Sequence, residues 1–156
     1  MIRRLTIDSP LGPLTLTAEG GALTVLDWGR VNDVTPADPL LTEAAAQVAA
    51  YFTGRLQRFD LPLQPAGTAF QRRVWDLMLT IPYGRTWTYG TMAHHLGSAA
   101  RAVGGACGRN PIPIIIPCHR VVGGGNSPGG YSGQGGLATK AHLLDLERRH
   151  ALQPAG

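Results

Sequence analysis

Residues 68–81 read TAFQRRVWDLMLTI, a stretch that predicts an amphipathic helix at the start of a helical C-terminal domain. Its apolar side chains recur at the spacing of one helix face. These side chains are Phe70, Val74, Leu77, Met78 and Ile81. Thr68 and Gln71 have the spacing of a capping box, and Pro82-Tyr83-Gly84 should end the helix.

Two shorter helices are expected next, over residues 89–96 and 99–107, with Gly97 and Ser98 between them. This spacing is typical of a helix-turn-helix. The second helix consists of small residues and has Arg101 as its only long polar side chain. Because each interior Gly disfavours a helix by roughly 1 kcal/mol relative to Ala, something must compensate. Tight packing against protein and close approach of nucleic acid both remain open.

Cys118 follows an apolar, β-branched run, Ile114–Ile116, that we expect to be buried. A thiol at the end of such a run is often a packing residue. Here His119 and Arg120 come directly after it, and such neighbours favour the thiolate. Cys118 is therefore a candidate nucleophile, whereas Cys107, among small residues, is expected to pack.

The last helix is expected over residues 137–150, with Leu143, Leu144 and Glu147 on one face. A carboxylate on that face would point inward and would need a partner. A histidine that activates a thiol needs a third group to orient it, so Glu147 and His119 would suit each other. Exposure of Glu147 at the edge of the apolar face is the alternative.

The N-terminal residues predict a supporting α+β domain without a catalytic constellation. A meander of three strands is expected over residues 2–7, 14–18 and 22–28, followed by a helix over 39–52 and a return strand over 59–63. Gln64-Pro65-Ala66-Gly67 has the composition of a linker. The predicted boundaries are residues 1–64 for the first domain, 65–67 for the linker and 68–156 for the second domain.

Charge is distributed unevenly between the two halves of the chain. Residues 1–67 hold five Arg against seven acidic residues, a net −2, whereas residues 68–156 hold eight Arg and one Lys against three acidic residues, a net +6. An excess of Arg suits a surface that binds phosphates, although it also suits a solvated basic face. No apolar run approaches the roughly 20 residues that span a bilayer, so we expect a cytoplasmic protein.

Several ordered segments resemble one family. Pro117-Cys118-His119-Arg120-Val121 is similar to the active-site motif of the O6-alkylguanine-DNA alkyltransferases, also called methylated-DNA–protein-cysteine methyltransferases. The other segments are Ile81-Pro82-Tyr83-Gly84, Thr88-Tyr89-Gly90, residues 100–106, Asn110-Pro111 and Gly136-Leu137-Ala138. The resemblance covers residues 68–150 and implies an α+β fold. Its first domain would be ribonuclease H-like, and its second would carry a winged helix-turn-helix-like DNA-binding motif.

The resemblance also implies the catalytic roles. Cys118 would accept the alkyl group, His119 would deprotonate it through a bound water, and Glu147 would polarise His119. Tyr89 would donate a proton to the departing guanine, and Asn110 would organise the active-site turn. The reaction would be an irreversible, single-turnover methyltransferase reaction on DNA, without metal or other cofactor.

DNA contacts follow from the same resemblance. Arg101 would enter the duplex where the damaged base leaves, and the helix-turn-helix would lie in the minor groove. The other residues expected at the DNA are Thr88, Tyr89, Ala100, Arg109 and Arg120. The expected partner is double-stranded DNA that contains O6-alkylguanine, with O4-alkylthymine as a further candidate, and the protein is expected to be a monomer.

The pocket loop, residues 131–134, departs from the family pattern by two extra residues before the last helix. Either Tyr131-Ser132 or Gly133-Gln134 could form the wall of the alkyl pocket, so the size of the accepted group stays open.

Three other functions are considered. A damage-binding module without catalysis would not need Cys118, and a hydrolytic or redox thiol enzyme would turn over many times without DNA. Zinc binding through Cys107, Cys118, His94 and His95 lacks the usual paired spacing.

Overall fold

The computed structural model describes residues 1–31, 35, 38–125, 127–131 and 133–151. Its N-terminal part is a three-stranded antiparallel sheet in the order β1-β2-β3, followed by helix α1. These elements are β1 (Ile2–Ile7), β2 (Leu14–Glu19), β3 (Ala22–Trp28) and α1 (Pro39–Phe52). The predicted meander and helix are confirmed, with β2 one residue longer than expected.

Burial and capping explain this part of the fold. The central strand β2 is buried from Leu14 to Ala18, and the buried hydroxyl of Thr15 donates a hydrogen bond to the Gly29 carbonyl at 2.7 Å. Asp38 caps α1 by accepting from the Leu41 N–H at 3.0 Å, and its carboxylate also pairs with Arg3 of β1. The cap therefore connects the helix to the sheet.

The C-terminal part contains four helices and a two-stranded parallel pairing of β4 with β5. Its elements are α2 (Ala69–Met78), β4 (Trp87–Thr88), α3 (Tyr89–Leu96), α4 (Ala100–Gly108), a 3₁₀ turn (Cys118–Arg120), β5 (Val121–Val122) and α5 (Gly136–Ala151). The sequence did not predict β4 or β5, because two-residue strands leave no periodic pattern. None of the helices in the described ranges is long and apolar enough to cross a bilayer.

Helix α2 begins with the predicted capping box but ends earlier than the apolar pattern suggested. Thr68 Oγ1 accepts from the Gln71 N–H at 3.1 Å, and Gln71 Oε1 accepts from the Thr68 N–H at 3.0 Å. After Met78 the chain tightens into turns, although Ile81 remains buried. Pro82 disfavours helical geometry in the residue before it, which accounts for the shorter helix.

The expected strand over residues 59–63 is reduced to a single bridge between Leu63 and Leu23 of β3. The Leu23 N–H donates to the Pro62 carbonyl at 2.9 Å, and the Gln64 N–H donates to the Leu23 carbonyl at 2.8 Å. Pro62 has no N–H to extend a ladder, so the prediction of a full strand was wrong.

Candidate active site

The active-site turn, residues 110–117, leads from α4 to the 3₁₀ turn that begins at Cys118. Both ends of the Asn110 side chain bind this turn: Nδ2 donates to the Ile116 carbonyl at 2.8 Å, and Oδ1 accepts from the Ile112 N–H at 3.0 Å. Ile114 has a φ of 72°, which is unusual for a β-branched residue. The structure thus places Asn110 where the resemblance expected it, inside a strained turn whose shape it holds.

Glu147 lies at the centre of a buried network. Its Oε2 meets His119 Nε2 at 2.6 Å and accepts from the Tyr51 hydroxyl at 2.7 Å. Its Oε1 accepts from Arg120 Nε at 2.8 Å and from the Gly84 N–H at 3.2 Å. The side chain is 0% exposed, so the inward orientation is correct and the exposed alternative is wrong.

The network keeps Glu147 ionised. Burial alone would raise the pKa of this carboxyl, but the hydrogen bonds and charges of His119 and Arg120 outweigh it and lower the pKa to about 2. A buried carboxylate with this many donors is stable only as long as its partners stay in place.

Arg120 is not on the DNA-facing surface that we expected for it. Its Nη1 donates to the Ile81 carbonyl at 2.7 Å, its Nη2 donates to Glu147 Oε2 at 3.1 Å, and its guanidinium lies 5.7 Å from the Tyr83 ring centroid. Because a buried Glu147 needs a charge partner, Arg120 turns inward. We therefore correct the prediction of a DNA contact and assign Arg120 to the buried network.

His119 is buried completely, and burial lowers its pKa despite the contact with Glu147. An ionised carboxylate can only accept, so Nε2 carries the proton and donates it to Glu147. The other ring nitrogen, Nδ1, is buried and has no hydrogen-bond partner among the described residues. Its lone pair is therefore available as a base.

The Cys118 thiol is also buried, and burial raises its pKa. A hydrogen bond from Asn110 and the charge of Lys140 oppose this rise. His119 and Arg120 do not supply the stabilisation of the thiolate that their adjacency in sequence suggested, because one is neutral and the other is paired with Glu147. The resting thiol is protonated, so transfer from sulfur requires a base.

Sequence reasoning missed Lys140, which lies on α5 with its side chain almost fully buried. Its Nζ donates to the carbonyls of Val121 at 2.7 Å and Gly130 at 2.9 Å, and lies 5.8 Å from the Tyr89 ring centroid. Burial lowers the pKa of Lys140, whereas the charges of Cys118 and Cys107 raise it. A usable signal was present, since Lys140 precedes Glu147 by seven residues and so shares its helix face.

Replacing Lys140 with Met should shift the pH–rate profile of the Cys118 thiol to higher pH. Loss of a positive charge near the sulfur raises the thiol pKa, and a rise of about one unit slows the reaction about tenfold at neutral pH. Stopped alkylation of the purified protein at several pH values measures this. A uniform loss of rate without any shift in profile would instead assign Lys140 to holding the Gly130 segment.

A cavity of about 550 Å³ opens beside Cys118 between α3, α4 and the segment before α5. We call it the front cavity, and its lining includes Tyr89, Ala100, Arg101, Gly104, Cys118 and Tyr131. Its volume lies in the ~300–1,000 Å³ range of small-molecule sites. The predicted nucleophile thus shares one cavity with the predicted proton donor and with Arg101.

Helix α4 presents its small residues to this cavity and to the surface. A Cβ on Gly104 would lie 4.0 Å from Tyr89 Cε1, and one on Gly105 would meet no atom within 4 Å. Tight protein packing therefore does not explain these glycines, although Val103 and Ala106 do pack inward. Arg101 is exposed at the first turn of α4.

The other predicted DNA contacts lie near the ends of the helices. Thr88 caps α3 by accepting from the Thr91 N–H at 3.0 Å, and Arg109 is exposed at the end of α4. Burial raises the pKa of Tyr89, so its hydroxyl remains a proton donor.

A second cavity, of about 320 Å³, also reaches Cys118. Its lining includes Asp27, Trp28, Pro113, Cys118, Tyr131 and Gly133. Tyr131 and Gly133 of the pocket loop are thus both beside the sulfur, whereas Gln134 is exposed, with its carbonyl bonded to Thr139. Ser132 lies outside the described residues.

The exposed His94 and His95 lie on α3, where His95 stacks on Trp87 at 5.1 Å. Within the part of the chain that the structure describes, no three metal-binding side chains lie close enough together to hold an ion. The zinc alternative therefore finds no support in the geometry.

Comparisons with known proteins agree with this architecture. Residues 2–65 match the family described as "6-O-methylguanine DNA methyltransferase, ribonuclease-like domain", and residues 69–149 match its DNA binding domain. A methylated-DNA–protein-cysteine methyltransferase of Mycobacterium tuberculosis is 48% identical over 160 residues, which cover 97% of this chain and 95% of the relative. A constitutive methyltransferase of that name from Bacillus subtilis is 40% identical, with 92% and 93% covered.

Solved structures show the same relationship. The crystal structure of Mycobacterium tuberculosis O6-methylguanine methyltransferase matches with a TM-score of 0.85 and 45% identity, covering 100% of this chain and 97% of that one. The Mycobacterium tuberculosis protein OGT in complex with DNA matches with a TM-score of 0.86 and 47% identity over 95% and 94% of the two chains. Since both halves match in order and the identity extends over nearly the whole chain, the protein belongs to the 6-O-methylguanine DNA methyltransferase family.

Proposed function

We propose that this protein repairs DNA by direct reversal, moving the alkyl group of an O6-alkylguanine onto Cys118. The observation that carries the proposal is the position of Cys118, which lines the front cavity beside the buried pair formed by His119 and Glu147. A purely DNA-binding module would need neither the thiol nor the buried base. A hydrolytic or redox enzyme would not need the exposed Arg101 at the cavity.

The proton balance follows from the ionisation states. His119 Nδ1 takes the Cys118 proton through a water molecule, and the ionised Glu147 stabilises the resulting imidazolium. The thiolate forms a bond to the alkyl carbon as the bond from that carbon to guanine O6 breaks. The electron pair goes to the guanine, which leaves neutral because Tyr89 supplies a proton to it.

Access to the lesion requires base flipping, because a stacked guanine hides its O6 substituent from a protein thiol. The front cavity can take the extruded base, and Arg101 at its edge can fill the space that the base leaves in the duplex. Contacts from the basic C-terminal half to phosphates offset the few kcal/mol that unstacking costs.

The product is a thioether, which the side chains of this site have no means to cleave. Each molecule therefore acts once. Every described residue of the site comes from one chain, which supports action as a monomer. Alkylated thymine at O4 remains a second candidate substrate, and the cytoplasm remains the proposed compartment.

Mixing the protein with duplex DNA that contains O6-methylguanine tests the proposal. The intact chain should gain the mass of one methyl group, and peptide mapping should place it on Cys118. Duplex DNA with unmodified guanine is the control. Repeated turnover, or failure to gain any mass, would contradict the proposed function.

Arg101→Ala should separate base flipping from chemistry. Repair of the duplex should slow about tenfold, equivalent to ~1.4 kcal/mol, because the extruded state loses its inserted side chain. Reaction with free O6-benzylguanine should stay within about twofold of the original, since no base has to leave a duplex. Arg55→Ala, which removes an exposed charge from the other domain, is the matched control. Equal slowing on both substrates would contradict the role of Arg101.

A further inference from the structure

The two cavities beside Cys118 share two of the lining residues that the structure describes, Cys118 itself and Tyr131. Displacement at carbon requires the sulfur, the transferred carbon and guanine O6 to lie nearly in line. If the base occupies the front cavity, the remaining substituent on that carbon must leave this line sideways. The second cavity provides space next to the sulfur for such a substituent.

One wall of the second cavity comes from the N-terminal domain, to which neither the sequence nor the family resemblance assigned a part in the reaction. Trp28 of β3 meets Tyr131 edge to face, with ring centroids 6.4 Å apart and planes at 80°. Gly133 packs against the same indole, because a Cβ there would lie 2.7 Å from Trp28 Cζ2. The indole therefore contacts both described pocket-loop residues that line the second cavity.

The position of Trp28 is held by the sheet. Trp28 pairs with Leu14 in β2, and the Gly29 N–H after it donates to the Pro13 carbonyl at 2.8 Å. Two residues earlier, the Leu26 N–H donates to the Pro111 carbonyl of the active-site turn at 2.9 Å. A wall on a sheet that is bonded to the catalytic turn keeps its distance from the sulfur better than a wall on a glycine-rich loop.

We propose that Trp28 is a specificity-determining residue that binds the distal part of large alkyl groups during their transfer to Cys118. This inference rests on the proposed function. A methyl group has no distal part and does not reach the indole. A phenyl ring does, and the second cavity, at about 320 Å³, exceeds the ~150 Å³ that suffices to hold benzene.

The test compares single-turnover rates on two duplexes of one sequence, which carry O6-methylguanine or O6-benzylguanine. For Trp28→Ala, the benzyl rate should fall about tenfold and the methyl rate should stay within about twofold, because the phenyl ring alone loses its aromatic neighbour. Trp28→Phe keeps an aromatic wall and should recover most of the benzyl rate.

Thr24→Ala is the matched control, since Thr24 lies on the same strand and does not line the second cavity. It should change neither rate. A benzyl-to-methyl ratio in Trp28→Ala that is unchanged or higher would overturn the role of Trp28, and an equal fall of both rates counts as an unchanged ratio. Failure of the unaltered protein to accept methyl would instead reject the proposed function itself.

Discussion

Cys118→Ala is expected to end alkyl transfer completely while DNA binding persists. The front cavity contains a second thiol, Cys107, but burial raises its pKa to about 12, and it has no base beside it. Its Sγ instead contacts Met78 Sδ at 3.7 Å. No other nucleophile among the described cavity residues can replace the lost sulfur, so no residue of the variant should carry the methyl group.

Mass measurement of the variant after incubation with methylated duplex checks the chemistry, and a gel-shift titration with the same duplex checks binding. Cys107→Ala is the matched control, because it removes the other buried thiol of the cavity. This control should still gain one methyl group per chain. Methyl incorporation into Cys118→Ala would show that the acceptor has been assigned wrongly.

Glu147→Gln should cause the second large effect, on stability and on activity together. The substitution keeps the shape of the side chain but leaves Arg120 as a buried charge without its carboxylate, which typically costs about 3–5 kcal/mol. The imidazolium of His119 also loses its counter-charge, so we expect transfer to slow about a hundredfold. Urea unfolding and single-turnover kinetics measure the two effects.

The same substitution should change how stability depends on pH. The Glu147 pKa is lowered to about 2 in the folded protein, so its contribution is complete above the ordinary pKa of 4.5 and is lost as the pH falls toward 2. Glu147→Gln should therefore lose less stability than the original protein between these pH values. Identical acid curves for the two proteins would contradict the buried ionised network.

Asp145→Asn on the same helix is the control for both measurements. Asp145 is exposed and pairs with Arg149 at 3.1 Å, one turn along α5. Exposed pairs of this kind contribute about 0.3–0.5 kcal/mol, so this variant should unfold and react almost as the original does.

Much of the architecture could be predicted because it depends on short-range patterns. Strand alternation, the Thr68–Gln71 capping box and the apolar face of α5 are all local, and the structure has them at or near the expected residues. The adjacency of Cys118 and His119 and the inward face of Glu147 are local features of the same kind. They suffice to nominate a nucleophile, a base and an orienting carboxylate.

The sequence by itself thus determined the elements, the family and the principal side chains of the site. Only the tertiary structure decided their electrostatic states and their neighbours. Arg120 turns inward because Glu147, 27 residues away, needs a charge partner, and Lys140 reaches Gly130 and the sulfur across a loop. Trp28 reaches the cavity from a different domain. Burial and distant charges set pKa values and pocket walls, and neither has a signature in the order of neighbouring residues.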